Sequence, residues 1–257
     1  MKLSHLFLIA VLTYSCAAKK MAVENADTLI TYQVTKRLPL YSAQKEQLTK
    51  DIDKFLNETK PKAQDMLPVI DDIDLKDPAK LDPQYAKFES FYKVLSKDFS
   101  ALMSKYLAKL DGKQQKDLFE TLDDENRELL KREKEERIDG IEDRFETFLG
   151  SINSKQKQLV REYADYFHAR SKLRLDRRVK LHKELKSIYN QDVSENSRMI
   201  QIQESMLEFQ NAGLADNKNL EILKKIVPTL TEEQREYFRK EAQEIKDVLR
   251  YFNSISY

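Results

Sequence analysis

Four short stretches of this 257-residue chain repeat one pattern, and that pattern restricts the fold more than any other feature. They are "LYSAQKEQL" from Leu40, "LDGKQQKDL" from Leu110, "INSKQKQLV" from Ile152 and "LTEEQREYF" from Leu230. Each sets an apolar residue before a short polar one (with Tyr41 between them in the first copy), then a polar residue three further on, then an apolar helical face. The expected N-caps are Ser42, Asp111, Asn153 and Thr231, followed at the third helical position by Lys45, Gln114, Gln156 and Gln234. A short side-chain oxygen satisfies a free backbone N–H of the first turn, and a glutamine at the third position reaches back to the cap's own N–H. The apolar residue before the cap forms the outer half of a hydrophobic staple. Such a motif starts a helix whether or not it binds anything.

The stretches that follow have helical periodicity. Phe238, Ala242, Ile245, Leu249 and Phe252 recur at alternating steps of four and three, one stripe for packing on a neighbour. Leu159, Tyr163 and Phe167 do the same, and Phe88, Tyr92, Leu95, Phe99, Leu102, Tyr106 and Leu110 form a near-continuous seam. With four glycines, six prolines and no tryptophan, the chain is poor in turn formers, and no stretch alternates as a strand between turns. These features predict an all-α fold: an elongated bundle of long amphipathic helices with helical hairpins, a single helical domain over residues 20–257 with residues 191–257 as a C-terminal helical extension. Residues 61–83 hold four of the six prolines and six aspartates, and are expected to form an irregular connection or a short helix pair.

The N-terminus sets the expected location. Lys2 precedes an apolar run, "LFLIAVL" from Leu6 to Leu12, and short polar residues lead to Cys16, the only cysteine. A basic start, a short apolar core and small residues before a cleavage point describe a secretory signal peptide over residues 1–15. The run is too short for a permanent membrane-spanning helix, which needs about 20 apolar residues. Cys16 resembles the acylated cysteine of bacterial lipoproteins, with Thr13 where such signals usually carry leucine; the other reading is an ordinary signal peptide cut near "SCAA". A lone cysteine in an oxidising compartment has no internal disulfide partner, and acylation caps it. Two or three acyl chains, palmitate among them, would hold the protein stably. Residues 16–19 then read as the lipidated N-terminus and a short linker, and Ala17 favours the outer over the inner membrane by resemblance to sorted lipoproteins.

Removing residues 1–15 takes away one charge and leaves 44 basic and 44 acidic side chains. Nucleic-acid binding calls for a basic excess, so no nucleic-acid partner is expected. Charge is nonetheless segregated. Residues 117–146 carry 13 acidic and 6 basic side chains, and residues 161–186 carry 9 basic and 4 acidic. Within the first segment "KREKEER", Lys131 to Arg137, contains no apolar residue and reads as a projecting helix or hairpin tip, with Glu128/Arg132, Glu133/Arg137 and Arg132/Glu136 as ion pairs and Gly140 as a break. Within the second, Arg170, Arg174, Arg177 and Arg178 share one helical stripe. That stripe is either an anion or partner site, since guanidinium forks grip carboxylates and phosphates, or one side of an internal charge lattice with the acidic helix before it.

Catalytic and cofactor patterns are missing. After residue 15 the histidines are His168 and His182, outside any metal-ligand spacing, and there is no glycine-rich phosphate loop, nucleophile elbow or CxxC. No enzyme activity, catalytic residue, metal, cofactor other than covalent lipid on Cys16, or small-molecule substrate is expected.

Two resemblances follow from these residues. The helix starts, above all "LTEEQREYF", are similar to the LTxxQ motif of the Spy/CpxP type of periplasmic helical chaperones and stress adaptors. More broadly, residues 16–190 resemble an uncharacterised family of bacterial all-helical lipoproteins, a domain of unknown function. Its members pair the lipoprotein cysteine with an immediate first helix, here "MAVENADTLITYQVTKRL", and carry a segment of the form RFExFLGxLxxxQxxLVxxYA, here within "ERIDGIEDRFETFLGSINSKQKQLVREYADYF". The chain departs from that family in having no tryptophan. The resemblance implies place and fold and no activity. The expected protein is a lipid-anchored, non-enzymatic envelope protein, facing the periplasm from the outer membrane, that binds other polypeptides as a chaperone or adaptor. The alternative is a structural lipoprotein that scaffolds a membrane-protein complex or contacts the cell wall.

Overall fold

Helix initiation shapes the architecture. The computed structural model describes residues 16–133, 139–212 and 218–257. Among these are twelve α-helices and no strand, which is the expected all-α bundle. They are α1 (Cys16–Glu24), α2 (Ala26–Thr35), α3 (Ser42–Gln64), α4 (Met66–Asp71), α5 (Leu81–Leu107), α6 (Gly112–Glu133), α7 (Asp139–Leu149), α8 (Ser154–Glu162), α9 (Ala164–Tyr189), α10 (Glu195–Asn211), α11 (Lys218–Ile226) and α12 (Glu232–Ser254).

Three of the four N-caps form as the sequence predicts. The Asp111 and Asn153 carboxylate and amide oxygens accept the backbone N–H of Gln114 and Gln156 at 2.9 and 3.0 Å, and Thr231 Oγ1 accepts that of Gln234 at 3.2 Å. Each glutamine Oε1 accepts the cap's N–H in return, closing the box. The first start is displaced by one residue. Tyr41, not Ser42, is the N-cap, in extended backbone at φ −73° and ψ 162°. Gln44, not Lys45, occupies the third helical position and accepts the Tyr41 N–H at 2.9 Å. An extended cap backbone and a returning glutamine suffice here, and the Tyr41 hydroxyl is left to donate to Asp111 Oδ2 at 2.8 Å.

With that correction all four starts carry a glutamine, and the glutamines meet in pairs. Gln114 Nε2 donates to Gln44 Oε1 at 2.7 Å and to the Pro39 carbonyl at 2.7 Å, joining the starts of α3 and α6. Gln156 and Gln234 exchange Nε2-to-Oε1 bonds, both 2.9 Å, joining the starts of α8 and α12. The apolar residues before the caps, Leu40 with Leu110 and Ile152 with Leu230, are buried beneath these pairs.

Each clasp closes one of two cores. The larger holds Leu48, Ile52 and Leu56 of α3, Leu102 and Leu107 of α5, Leu118 and Leu122 of α6, Leu181, Leu185 and Ile188 of α9, Ile202 and Met206 of α10, and Val248 and Phe252 of α12. The smaller holds Leu81, Leu149, Ile152, Val160, Ile222, Ile226 and Leu230, with Leu159, Tyr163 and Phe167 packed against it. α5 and α9 pass from one core to the other, α10 lies along both, and α12 touches α1, α3, α4 and α7. Residues 191–257 therefore contribute to both cores rather than trailing from them. On α12 the fully enclosed position is Val248; of the expected stripe only Phe252 is buried, the other four members lying at the half-buried margin.

Residues 61–83 are more helical than their prolines suggest. Pro61 lies inside α3, α4 covers Met66–Asp71, a 3-10 turn covers Pro78–Lys80, and Pro83 sits in the first turn of α5, where a missing N–H costs nothing. Gly140 lies in the first turn of α7; Glu136 and Arg137 fall outside the described residues, and so do the side chains of Arg132 and Glu133 on which the expected pairs depend. Glu128 pairs with Lys131 at 2.9 Å. No helix among the described residues is long and apolar enough to cross a membrane.

Candidate functional site

The expected lipid-bearing residue opens a helix. Residues 16–19, expected as a short linker, are the first turn of α1, and Lys19 is 1% exposed. Val23 and Ala26, four and seven residues on, are buried on the same side and press the N-terminal helices onto the bundle. Lys19 Nζ donates to Glu244 at 2.7 Å and to Glu241 at 3.4 Å on α12. Burial works to lower the Lys19 pKa, but the two carboxylates outweigh it and hold the ammonium above its ordinary value. Around this pair Tyr251 donates to Glu24, Lys20 lies 5.5 Å from the Tyr251 ring centre, and the Tyr257 hydroxyl donates to the Val23 carbonyl. The sequence offered one hint of this junction, the i, i+4, i+7 spacing of Lys19 with Val23 and Ala26; "AAKK" otherwise reads as solvated charge.

Helical spacing alone suggested one arginine surface, and the fold divides it. Arg170 is half-buried and donates to the Tyr166 hydroxyl at 3.1 Å, Arg174 is exposed, and Arg177 is half-buried in a groove with Glu184 and Glu208. Arg178 turns inward, 8% exposed, and donates to Glu125 of the acidic helix α6. Arg37, in the turn after α2, reaches the same carboxylate at 2.7 Å. Burial raises the Glu125 pKa, but the Arg178 hydrogen bond and the Arg37 charge prevail and hold it below the ordinary value. Next to this triad His182 Nδ1 accepts from Asn126 Nδ2 at 3.0 Å, both residues being buried. Burial first, then the Arg178 charge, depresses the His182 pKa to about 4, so the ring is neutral at pH 7. Arg178 Nε and Asn126 Oδ1 are buried without hydrogen-bond partners among the described residues. The cluster borders an apolar cavity of about 50 Å³ lined by Val34, Leu38, Met103, Leu118, Leu185 and Met206.

The apolar seam of α5 is open in its middle. Leu102, Tyr106 and Leu110 are buried in the larger core and Leu81 in the smaller one. Between them Phe88 and Val94 are exposed, and Phe91, Tyr92 and Leu95 are half-buried. This span is an apolar face that neither core covers completely. Among the described residues there is no group of three or more His, Cys, Asp or Glu able to hold a metal ion.

No protein-family model, curated protein or solved structure matches the chain.

Proposed function

We propose that this chain is a lipid-anchored, non-enzymatic protein of the bacterial envelope, facing the periplasm from the outer membrane, and that it binds other polypeptides as a chaperone or adaptor. The observation that carries the reading is the construction of the N-terminus: an apolar run ends four residues before the lone Cys16, and Cys16 opens a helix fixed to the body through Lys19. Acyl chains on Cys16 would hold the whole bundle close to the bilayer. The open middle of α5 supports polypeptide binding, because extended apolar surface flanked by charge suits unfolded segments better than a small polar substrate.

Mass spectrometry of the mature N-terminus with detergent fractionation, repeated for Cys16→Ser, tests the anchor. The expected result is a chain starting at residue 16 with added acyl mass, lost from the membrane fraction in the variant. An unmodified chain beginning elsewhere overturns it. Suppression of aggregation of a model substrate by the soluble domain tests the chaperone activity. Absence of both suppression and co-purifying periplasmic clients at micromolar concentration ends that part of the reading.

A further inference from the structure

We infer that the outward face of α1 and α2, carrying Met21, Leu29 and Tyr32, rests on a lipid bilayer surface, so that the protein is held flat along this edge and not only by a tail. The inference rests on the anchored reading of Cys16. The three side chains are 64, 45 and 59% exposed. Helical hydrogen bonding runs through the turn at Asn25, from the Asn25 N–H to Met21 O at 3.2 Å and from the Leu29 N–H to Asn25 O at 2.9 Å, so α1 and α2 keep one register. At 3.6 residues per turn, positions 21, 29 and 32 fall within a sector of about 80°. Lys19, Val23, Ala26 and Val34 occupy the opposite side and are buried in the bundle. Exposed Asn25, Thr28 and Lys36 share this side, Asn25 Nδ2 donating to the Met21 carbonyl, so the face is amphipathic. Three large apolar side chains turned away from the bundle among them call for a second cover.

The position of this face selects the cover. It begins about 8 Å along the helix axis from Cys16 and runs about 16 Å further, at 1.5 Å per residue. Acyl chains on Cys16 therefore bring the bilayer to its near end. The flank has interfacial chemistry: Tyr251 and Tyr257 are half-buried beside α1, with Lys20 5.5 Å from the first ring centre and Lys60 4.9 Å from the second. Tyrosine and lysine both place an apolar body in the membrane boundary and a polar tip in water. The exposed Glu24 carboxylate, which a bilayer would oppose, is held by the Tyr251 hydroxyl. A short amphipathic face next to acyl chains adds the second membrane signal that stable attachment requires.

The chain has no tryptophan, so single substitutions report the environment directly. Full-length Leu29→Trp and Tyr32→Trp, purified from membranes and reconstituted into phosphatidylethanolamine–phosphatidylglycerol vesicles, should float with the vesicles, emit at shorter wavelength than in detergent-free solution, and lose most emission to a doxyl-labelled lipid. Leu223→Trp, exposed beside the smaller core, should float equally and show neither change. Flotation with unshifted, unquenched emission at 29 and 32 overturns the bilayer contact and leaves the anchor standing. Failure to float overturns both. A blue shift at 29 and 32 that depends on protein concentration without vesicles assigns the face to a second copy and overturns the lipid assignment. Matching circular dichroism shows that each variant is folded.

Discussion

Gln156 and Gln234 each cap their own helix and each donate an amide hydrogen to the other's oxygen at 2.9 Å, 78 positions apart in sequence. Both side chains are buried, and each keeps further partners. Gln234 Nε2 also donates to the Ser151 carbonyl, Gln156 Nε2 also donates to the Thr229 carbonyl, and each Oε1 also accepts its own cap's N–H. Removing either therefore takes bonds from its partner without orphaning it. Gln156→Ala should lower stability by about 1–3 kcal/mol, combining the lost return bond to the Asn153 N–H with the lost bonds to Gln234 and Thr229. In a double-mutant cycle with Gln234→Ala, denaturant midpoints should give a coupling of about 1–3 kcal/mol. Simple additivity would show that the two amides act separately.

Gly150 ends α7 at φ +76°, just before the second clasp. A Cβ there would stand 2.9 Å from the Tyr237 ring, so alanine meets both a strained backbone and an aromatic wall. Gly150→Ala should cost about 2–4 kcal/mol, and pairing it with Tyr237→Ala should remove the steric part. Thermal melts of the single and double variants check this.

His182 is neutral in the folded bundle with a pKa of about 4, against about 6.5 in an unfolded chain. The unfolded state takes up its proton first as pH falls, so stability is complete above about pH 6.5 and declines toward pH 4, by about 3 kcal/mol from this residue. Asp123 works against the shift, while Arg178 and Lys186 favour it. Urea titrations of wild type and His182→Gln should diverge in slope across that window. Parallel curves would place the acid sensitivity elsewhere.

Lys19→Ala should loosen α1 without unfolding the cores, because its partners Glu241 and Glu244 lie at the bundle margin while Val23 and Ala26 still pack inside. Faster hydrogen exchange confined to residues 16–35, with the α5 and α9 amides unchanged, is the expected signature. For the wild type the raised Lys19 pKa keeps this contribution whole below about pH 10.4, and it is lost as pH rises through the folded value.

If the open middle of α5 receives polypeptides, Phe88→Ser should weaken suppression of aggregation severalfold while leaving the melting temperature within a few degrees, because Phe88 is exposed. Equal activity in the variant would move the binding face away from α5.

How much of this was readable in advance depended on the range of the interaction. The starts of α6, α8 and α12 were legible at Asp111, Asn153 and Thr231 because a cap bonds within one turn of itself. The start of α3 was misplaced by one residue because Tyr41 looks like a poor cap, and only its extended backbone with Gln44 behind it reveals the role. The arginine spacing at 170, 174, 177 and 178 was equally legible, yet whether Arg178 faces solvent or Glu125 is set by a helix that begins more than 60 residues earlier.

The sequence by itself determined the all-helical class and three of the four repeated helix starts, since backbone capping and side-chain period act between near neighbours. Tertiary structure alone decided that four capping glutamines close two cores in pairs, that Cys16 opens a helix fixed to the body, and that the charged stripe splits between core and surface. The reason is that a side chain with hydrogen-bonding capacity or charge to spare takes its last partner from whatever packing brings alongside, and no local pattern names that partner.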